Sequence, residues 1–196
     1  GQDGAPVPDF VDSVTQVLAF QTVPFGSPGD PTGSLTEYVV TGTGDNPFGN
    51  NDVTFAFGLS LTSDDVASIS MPGYAGFDTA VKSCNIAGEC VEAAGDVVPT
   101  TASRSANGDV VEFYFSTPVT SSAPSGGFVI YTNAKTYADP PMIEIADTNG
   151  NVSFASEFVP SAVPEPQAWM SILAGIGLAG AALRRARRGK ARASIA

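Results

Sequence analysis

Alternation of apolar and polar residues predicts β-strands along most of the chain. Every second residue from 53 to 61 is apolar, which places five side chains on one face: Val53, Phe55, Phe57, Leu59 and Leu61. Residues 109–117 alternate in the same way and place Val111, Phe113 and Phe115 on one face. These are the two clearest strands, and each directs one face toward a core.

Shorter segments of the same kind lie between residues that favour turns. Five more strands are predicted over residues 14–20, 36–43, 127–132, 142–146 and 151–158. Asn107-Gly108 and Asn149-Gly150 favour positive φ in tight hairpins. We therefore expect an all-β fold, an antiparallel β-sandwich or barrel-like domain, over residues 1–158.

Residues 62–83 do not alternate clearly. Ser63, Asp64 and Asp65 are able to cap a helix, whereas Pro72 and Gly73 would soon end it. The sequence predicts at most one turn of helix in this segment.

The charge is divided sharply along the chain. Residues 1–163 hold 19 acidic residues against Lys82, Arg104 and Lys135, whereas the rest holds Glu165 against six basic residues. An acidic body repels phosphate backbones, so the sequence predicts no nucleic-acid partner. Only 15 % of the residues are charged while Gly and Pro supply 21 and 15 positions, which fits a turn-rich β protein rather than a coiled coil.

The segment after the β domain has a distinct order of parts. Residues 159–163 are predicted to form a linker, and residues 164–196 form a tail that opens with Pro164, Glu165 and Pro166. Trp169 suits a membrane interface, and residues 168–183 form an apolar run of about 24 Å as a helix, which predicts a single transmembrane helix. A basic cluster over residues 184–192 follows and includes Arg184, Arg185, Arg187 and Arg188. Such a cluster stays cytoplasmic, so we expect the acidic body on the outer side.

This tail resembles the PEP-CTERM sorting domain of Gram-negative bacteria. The resemblance covers residues 163–188, with Pro-Glu-Pro, Trp, a Gly-rich apolar run and an Arg cluster in order. It implies export, transient anchoring in the inner membrane, and cleavage near Pro164, Glu165 and Pro166 by exosortase, a membrane-embedded cysteine protease of the transpeptidase type. It also implies delivery to the cell surface or to extracellular polysaccharide. Residues 189–196 extend beyond the usual end of such tails.

Two further features of the chain fit this interpretation. The chain opens at Gly1 without an apolar leader, so for an exported protein we expect a signal peptide that has been removed. Gly175, Gly177 and Gly180 have dinucleotide-binding spacing but lack the required βαβ context, and they are interpreted as small residues in a membrane helix. An anchor that is never cleaved remains the alternative for the tail.

Two acidic loops are predicted to be turns, and the alternative is that they bind calcium. Asp147, Asn149 and Asn151 alternate as calcium ligands do, yet glycine comes too early for an EF-hand and its twelfth position is Phe158. The loop over residues 45–52 is likewise interpreted as a solvated turn. The sequence therefore predicts no cofactor, with calcium left open.

The chain contains no histidine, which removes the common catalytic triads and His-bound zinc. We expect that the protein is not an enzyme. A carboxylate-pair glycosidase is the catalytic alternative, because its mechanism needs only two acidic residues. The predicted role is that of a structural or adhesive protein of the extracellular matrix. A carbohydrate-binding module is the alternative, because five tyrosines offer rings to sugars: Tyr38, Tyr74, Tyr114, Tyr131 and Tyr137.

We predict that Cys84 and Cys90 are joined in protein recovered from outside the cytoplasm. Export places them in an oxidising compartment, and the five residues between them are small or polar enough to let the chain turn back. Intact-mass analysis before and after reduction should show a gain of two hydrogens on reduction. Alkylation of both thiols without a reductant would contradict the prediction.

Overall fold

The structure, a computed structural model, describes residues 16–83, 96–139 and 141–162. These residues form twelve β-strands and no helix. The strands are β1 (Gln16–Phe25), β2 (Thr32–Thr41), β3 (Thr54–Ser63), β4 (Asp65–Met71), β5 (Thr79–Ser83), β6 (Thr101–Arg104), β7 (Val111–Thr120), β8 (Phe128–Thr132), β9 (Thr136–Ala138), β10 (Met142–Ala146), β11 (Val152–Ser156) and β12 (Val159–Ser161).

Two five-stranded sheets pack face to face as a β-sandwich. The first has the order β1-β2-β3-β8-β5 and the second β11-β10-β4-β7-β6, with every strand pair antiparallel. The predicted all-β, antiparallel class is confirmed for the described residues. A separate two-stranded sheet joins β9 to β12.

The predicted inward faces form the core between the sheets. Phe55 and Phe57 are fully buried on one sheet, as is Val53 directly before β3, and Phe113 is fully buried on the other sheet. Phe128 on β8 lies among rings from both sheets, with centroids 5.5 Å from Phe57, 4.8 Å from Phe113 and 6.1 Å from Phe115. This aromatic cluster is where the two apolar faces meet.

The hairpin glycines adopt the conformation that the sequence predicts. Gly108, between β6 and β7, has φ of 74°, and Gly150, between β10 and β11, has φ of 88°. Other residues are strained in this left-handed region, whereas glycine enters it freely. The two Asn-Gly dipeptides therefore mark real turns.

The sequence predicts at most one turn of helix within residues 62–83, and the structure has strands there and no helix. That segment contains β4 and β5, and the chain passes from one sheet to the other through Asp64, whose φ is 59°. Val66, Ile69 and Met71 all face the core, but an irregularity in register between Val66 and Ser68 interrupts their period of two. Because this period is broken, the alternation of apolar and polar residues does not reveal β4 in the sequence.

The predicted linker over residues 159–163 begins as part of the domain. Val159–Ser161 form β12 and pair with β9, and the Val159 side chain packs close to Gly73. Pro160 is tolerated because β12 is paired on one side only. The last strand of the domain thus ends three residues before Pro164 in the sequence.

None of the described residues belongs to a helix long and apolar enough to cross a bilayer. The predicted span over residues 168–183 lies outside the described residues.

Replacing Phe128 by alanine should lower the free energy of unfolding by about 3–5 kcal/mol, because the cavity would open between both sheets. The measurement is denaturant unfolding of the full chain. Phe154→Ala is the matched control, since Phe154 is 52 % exposed and its loss should cost less than about 1 kcal/mol. Equal losses for the two variants would contradict the central role of Phe128.

Candidate functional site

Two glutamates and a tyrosine are buried inside the sandwich and interact electrostatically. Glu37, Glu157 and Tyr74 have no exposed surface. We call them the acidic cluster. They come from β2, from the segment between β11 and β12, and from the loop after β4.

Glu37 occupies a core position of its strand. It lies between Leu35 and Val39, which are both fully buried, so the alternation of β2 directs the carboxylate inward. Gln21 is its cross-strand neighbour on β1, and the Gln21 Nε2 group donates to Glu37 Oε2 at 2.7 Å. The backbone N–H of Phe158 donates to Oε1 at 3.0 Å and to Oε2 at 2.9 Å. These bonds connect the first hairpin of the fold to its last segment.

The other two members of the acidic cluster have fewer contacts. Both carboxyl oxygens of Glu157 and the hydroxyl of Tyr74 are buried without a hydrogen-bond partner among the described residues. The Tyr74 ring packs edge-on against Phe55 at 6.0 Å, and its backbone N–H donates to Asp109 O. The ring thus packs in the core, while its hydroxyl has no hydrogen-bond partner among the described residues.

Burial sets the protonation of the acidic cluster. Loss of solvation raises the pKa of Glu37 to about 8, against the opposing effect of the hydrogen bonds from Phe158 and Gln21. Burial, and then the charge of Glu37, raise the pKa of Glu157 well above its ordinary value. Burial and the two carboxylates raise the pKa of Tyr74 as well. The site therefore favours the protonated, uncharged forms of these three groups.

The three cations of the body are engaged elsewhere. Lys82 Nζ lies 2.6 Å from Asp45 Oδ2, and Lys135 pairs with Asp52. Arg104 donates to the backbone carbonyls of Tyr74, Phe77 and Gly108.

Both acidic loops form turns whose carboxylates are occupied by protein groups. Asp147 Oδ1 accepts from the backbone N–H groups of Asn149 and Asn151, and Oδ2 accepts from Asn151 Nδ2 at 2.7 Å. In the loop over residues 45–52, both aspartates pair with lysines, as described above. The described residues contain no group of three or more acidic, Cys or His side chains placed to hold a metal ion.

The tyrosines considered for sugar binding differ in exposure. Tyr74 and Tyr131 are buried, while Tyr38 packs against Phe20, and Tyr137 donates its hydroxyl to Leu18 O. Tyr114 is 39 % exposed on the outer face of the second sheet and donates to Glu112 at 2.5 Å. Only Tyr114 among the five offers a substantially exposed ring.

The remaining predicted site residues lie outside the described residues. They are the predicted disulfide pair Cys84 and Cys90, the sorting residues Pro164, Glu165 and Pro166, the interfacial Trp169, and the topology-determining Arg184, Arg185, Arg187 and Arg188.

The acidic cluster should make stability fall as the pH rises. The folded Glu37 keeps its proton up to about pH 8, whereas the unfolded residue loses it near 4.5, so folding takes up a proton between these values. Stability should fall through this window, with a slope on the order of 1 kcal/mol per pH unit from this carboxyl. Denaturant unfolding at pH 5 to 8 with EDTA present, so that no metal ion competes, should show a shallower slope for Glu37→Gln.

Glu144→Gln is the matched control, because Glu144 is exposed on β10. It should retain the slope of the natural chain. An unchanged slope for Glu37→Gln would contradict the assignment.

Comparison with known proteins identifies the tail. The family model described as the PEP-CTERM protein-sorting motif matches residues 162–188. No curated protein and no solved structure matches the chain. The match begins directly after β12 and contains the Pro-Glu-Pro sequence, the apolar run and the first four arginines. The chain is thus a protein with a PEP-CTERM sorting motif at residues 162–188, as its residue pattern predicts.

Proposed function

We propose that the chain is an exported protein of the cell surface or extracellular matrix, which exosortase processes at Pro164, Glu165 and Pro166. The observation that carries the proposal is the PEP-CTERM match over residues 162–188. The mature domain then has a structural or adhesive role. In this role the mature domain is not an enzyme.

The tail has the physical properties that transient anchoring needs. Residues 168–183 span about 24 Å as a helix, somewhat less than a hydrocarbon core of roughly 30 Å, and local bilayer thinning covers the difference. Arginines after the span remain cytoplasmic, which leaves the acidic body outside. Proline lacks the N–H that a helix needs and disfavours helical conformation in the residue before it, so the sequence favours an extended chain at Glu165, the form in which proteases read peptides.

The body supports a structural role over a catalytic one. Burial selects one carboxylate pair, Glu37 and Glu157, but both side chains have no exposed surface, so no sugar reaches them without opening the sandwich. A glycosidase needs its two carboxyl groups on either side of a substrate bond. The burial of the acidic cluster therefore favours a role in the stability of the fold over a role in catalysis.

A carbohydrate-binding role is the second candidate, and Tyr114 favours it. Its exposed ring lies beside Glu112, while Ser68 and Thr101 are its register neighbours on β4 and β6. Rings pack against the apolar faces of sugars, and carboxylates and hydroxyls accept or donate hydrogen bonds. Because all three cations of the body are engaged, a glycan bound here is neutral rather than acidic.

Replacing Pro164, Glu165 and Pro166 together by alanine should leave an uncleaved form in the inner membrane. The physical reason is that a protease reads particular side chains and an extended backbone, whereas a membrane span tolerates apolar exchanges. The measurement combines membrane fractionation with C-terminal mass spectrometry of released protein.

Exchanging Ile172 and Leu173 is the matched control and should leave processing unchanged, because the apolar character of the span is retained. Normal release of the triple-alanine variant, or an intact basic tail on released natural protein, would refute the sorting proposal.

A further inference from the structure

The outer face of the second sheet carries most of the exposed apolar side chains. Among the described residues, four large apolar side chains are at least 36 % exposed, and three of them, Tyr114, Met142 and Phe154, belong to strands of this sheet. Their neighbours along the strands, such as Phe113 and Ile143, are fully buried, so alternation directs the exposed set away from the core. Exposed apolar side chains gathered on one face mark a binding surface, whereas scattered single ones need no explanation.

The strand register arranges the side chains of this face in rows that cross the strands. One row consists of Phe154, Glu144, Ser70 and Glu112, and the next consists of Val152, Ala146, Ser68 and Tyr114. The two rings therefore lie on opposite sides of the face, about 14 Å apart across three strand spacings and about 7 Å apart along the strands. Between them lies a floor of small side chains, Ser68, Ser70 and Ala146, with the carboxylates of Glu112 and Glu144 beside it.

An open pocket of about 330 Å³ adjoins the face where β11 meets the turn between β1 and β2. It is lined by Gly26, Ser27, Asp30, Val152, Ser153 and Phe154. The turn is preformed, because the Asp30 N–H donates to Ser27 O at 3.0 Å and Gly29 has the positive φ, 96°, that glycine adopts freely. The Ser153 hydroxyl donates to Pro31 O at 2.6 Å and holds β11 against the turn. The pocket thus places a half-buried carboxylate and an exposed hydroxyl beside an exposed ring.

The charges of this face favour one kind of occupant. Asp30, Glu112 and Glu144 supply three carboxylates, and the contacts of the three cations of the body involve no residue of this face. An acidic glycan, an anionic lipid surface and a second copy of the same face would all be repelled. The hydroxyl groups of a neutral sugar donate well to carboxylates, and the apolar side of its ring packs on aromatic side chains.

We propose that a neutral polysaccharide lies across the strands of this face, with one sugar on Tyr114 and another on Phe154 beside Asp30 and Ser27. The proposal rests on the carbohydrate-binding role and is independent of the sorting motif. A single sugar is too small to reach both aromatic side chains, whereas an oligosaccharide of several units spans them. Two weak contacts then act together, because the second forms within a ligand that is already held.

The test is isothermal titration of the full chain with neutral oligosaccharides of one to six sugars from the cello-, manno- and malto- series. The chain is kept in a detergent without a sugar head group, so that no sugar competes. Affinity should rise about tenfold between the disaccharide and the hexasaccharide of the series that binds. Phe154→Ala and Tyr114→Ala should each remove most of this gain. Phe48→Ala, which removes a 36 % exposed ring outside this face, should keep it.

The outcomes distinguish this site from the carbohydrate-binding role on which it rests. If Tyr114→Ala removes binding but Phe154→Ala does not, or if affinity does not grow with length, the site has one ring and the proposal is wrong. If no neutral oligosaccharide binds, the carbohydrate-binding role is wrong as well. Binding should also persist in about 0.5 M salt, because an uncharged ligand has no charge to screen. Loss of binding at that salt concentration would indicate a charged occupant and contradict the proposal.

Discussion

The Glu37 carboxylate joins the first hairpin of the sandwich to its last segment. It accepts from Gln21 across the β1–β2 pair and from the backbone N–H of Phe158, 121 residues away in the chain. A sandwich whose sheets contact mainly through apolar side chains tolerates sliding, whereas hydrogen bonds to a buried carboxylate fix one register. The acidic cluster therefore costs some stability, but it fixes how the first hairpin is arranged against the last segment.

Burial of these carboxyls also makes the stability of this part of the fold depend on the surrounding solution. A buried carboxyl pair is neutralised by protons, so its charge depends on the pH. Acid therefore stabilises this part of the fold through the raised pKa of Glu37.

Much of the sandwich could be predicted from sequence, because a strand with one buried face has apolar residues at every second position. The apolar positions of β3 and β7 are confirmed as core, and the Asn-Gly turns adopt positive φ at glycine. The strands that escaped prediction are short or irregular. β4 is broken in period near Ser68, β6 exposes most of its side chains, and β12 reads as a linker because Pro160 and Ser161 favour loops.

The acidic cluster was missed for a different reason. Glu37 carried a usable signal, since it stands between Leu35 and Val39 on a face that alternation assigns to the core. Tyr74 and Glu157 carried none, because both lie outside strands and reach the site through long-range packing. A motif read by an enzyme is linear and visible in the residue order, as the sorting tail is. The acidic cluster is assembled from three segments that are distant in sequence. It can therefore be recognised only when the fold that brings these segments together is known.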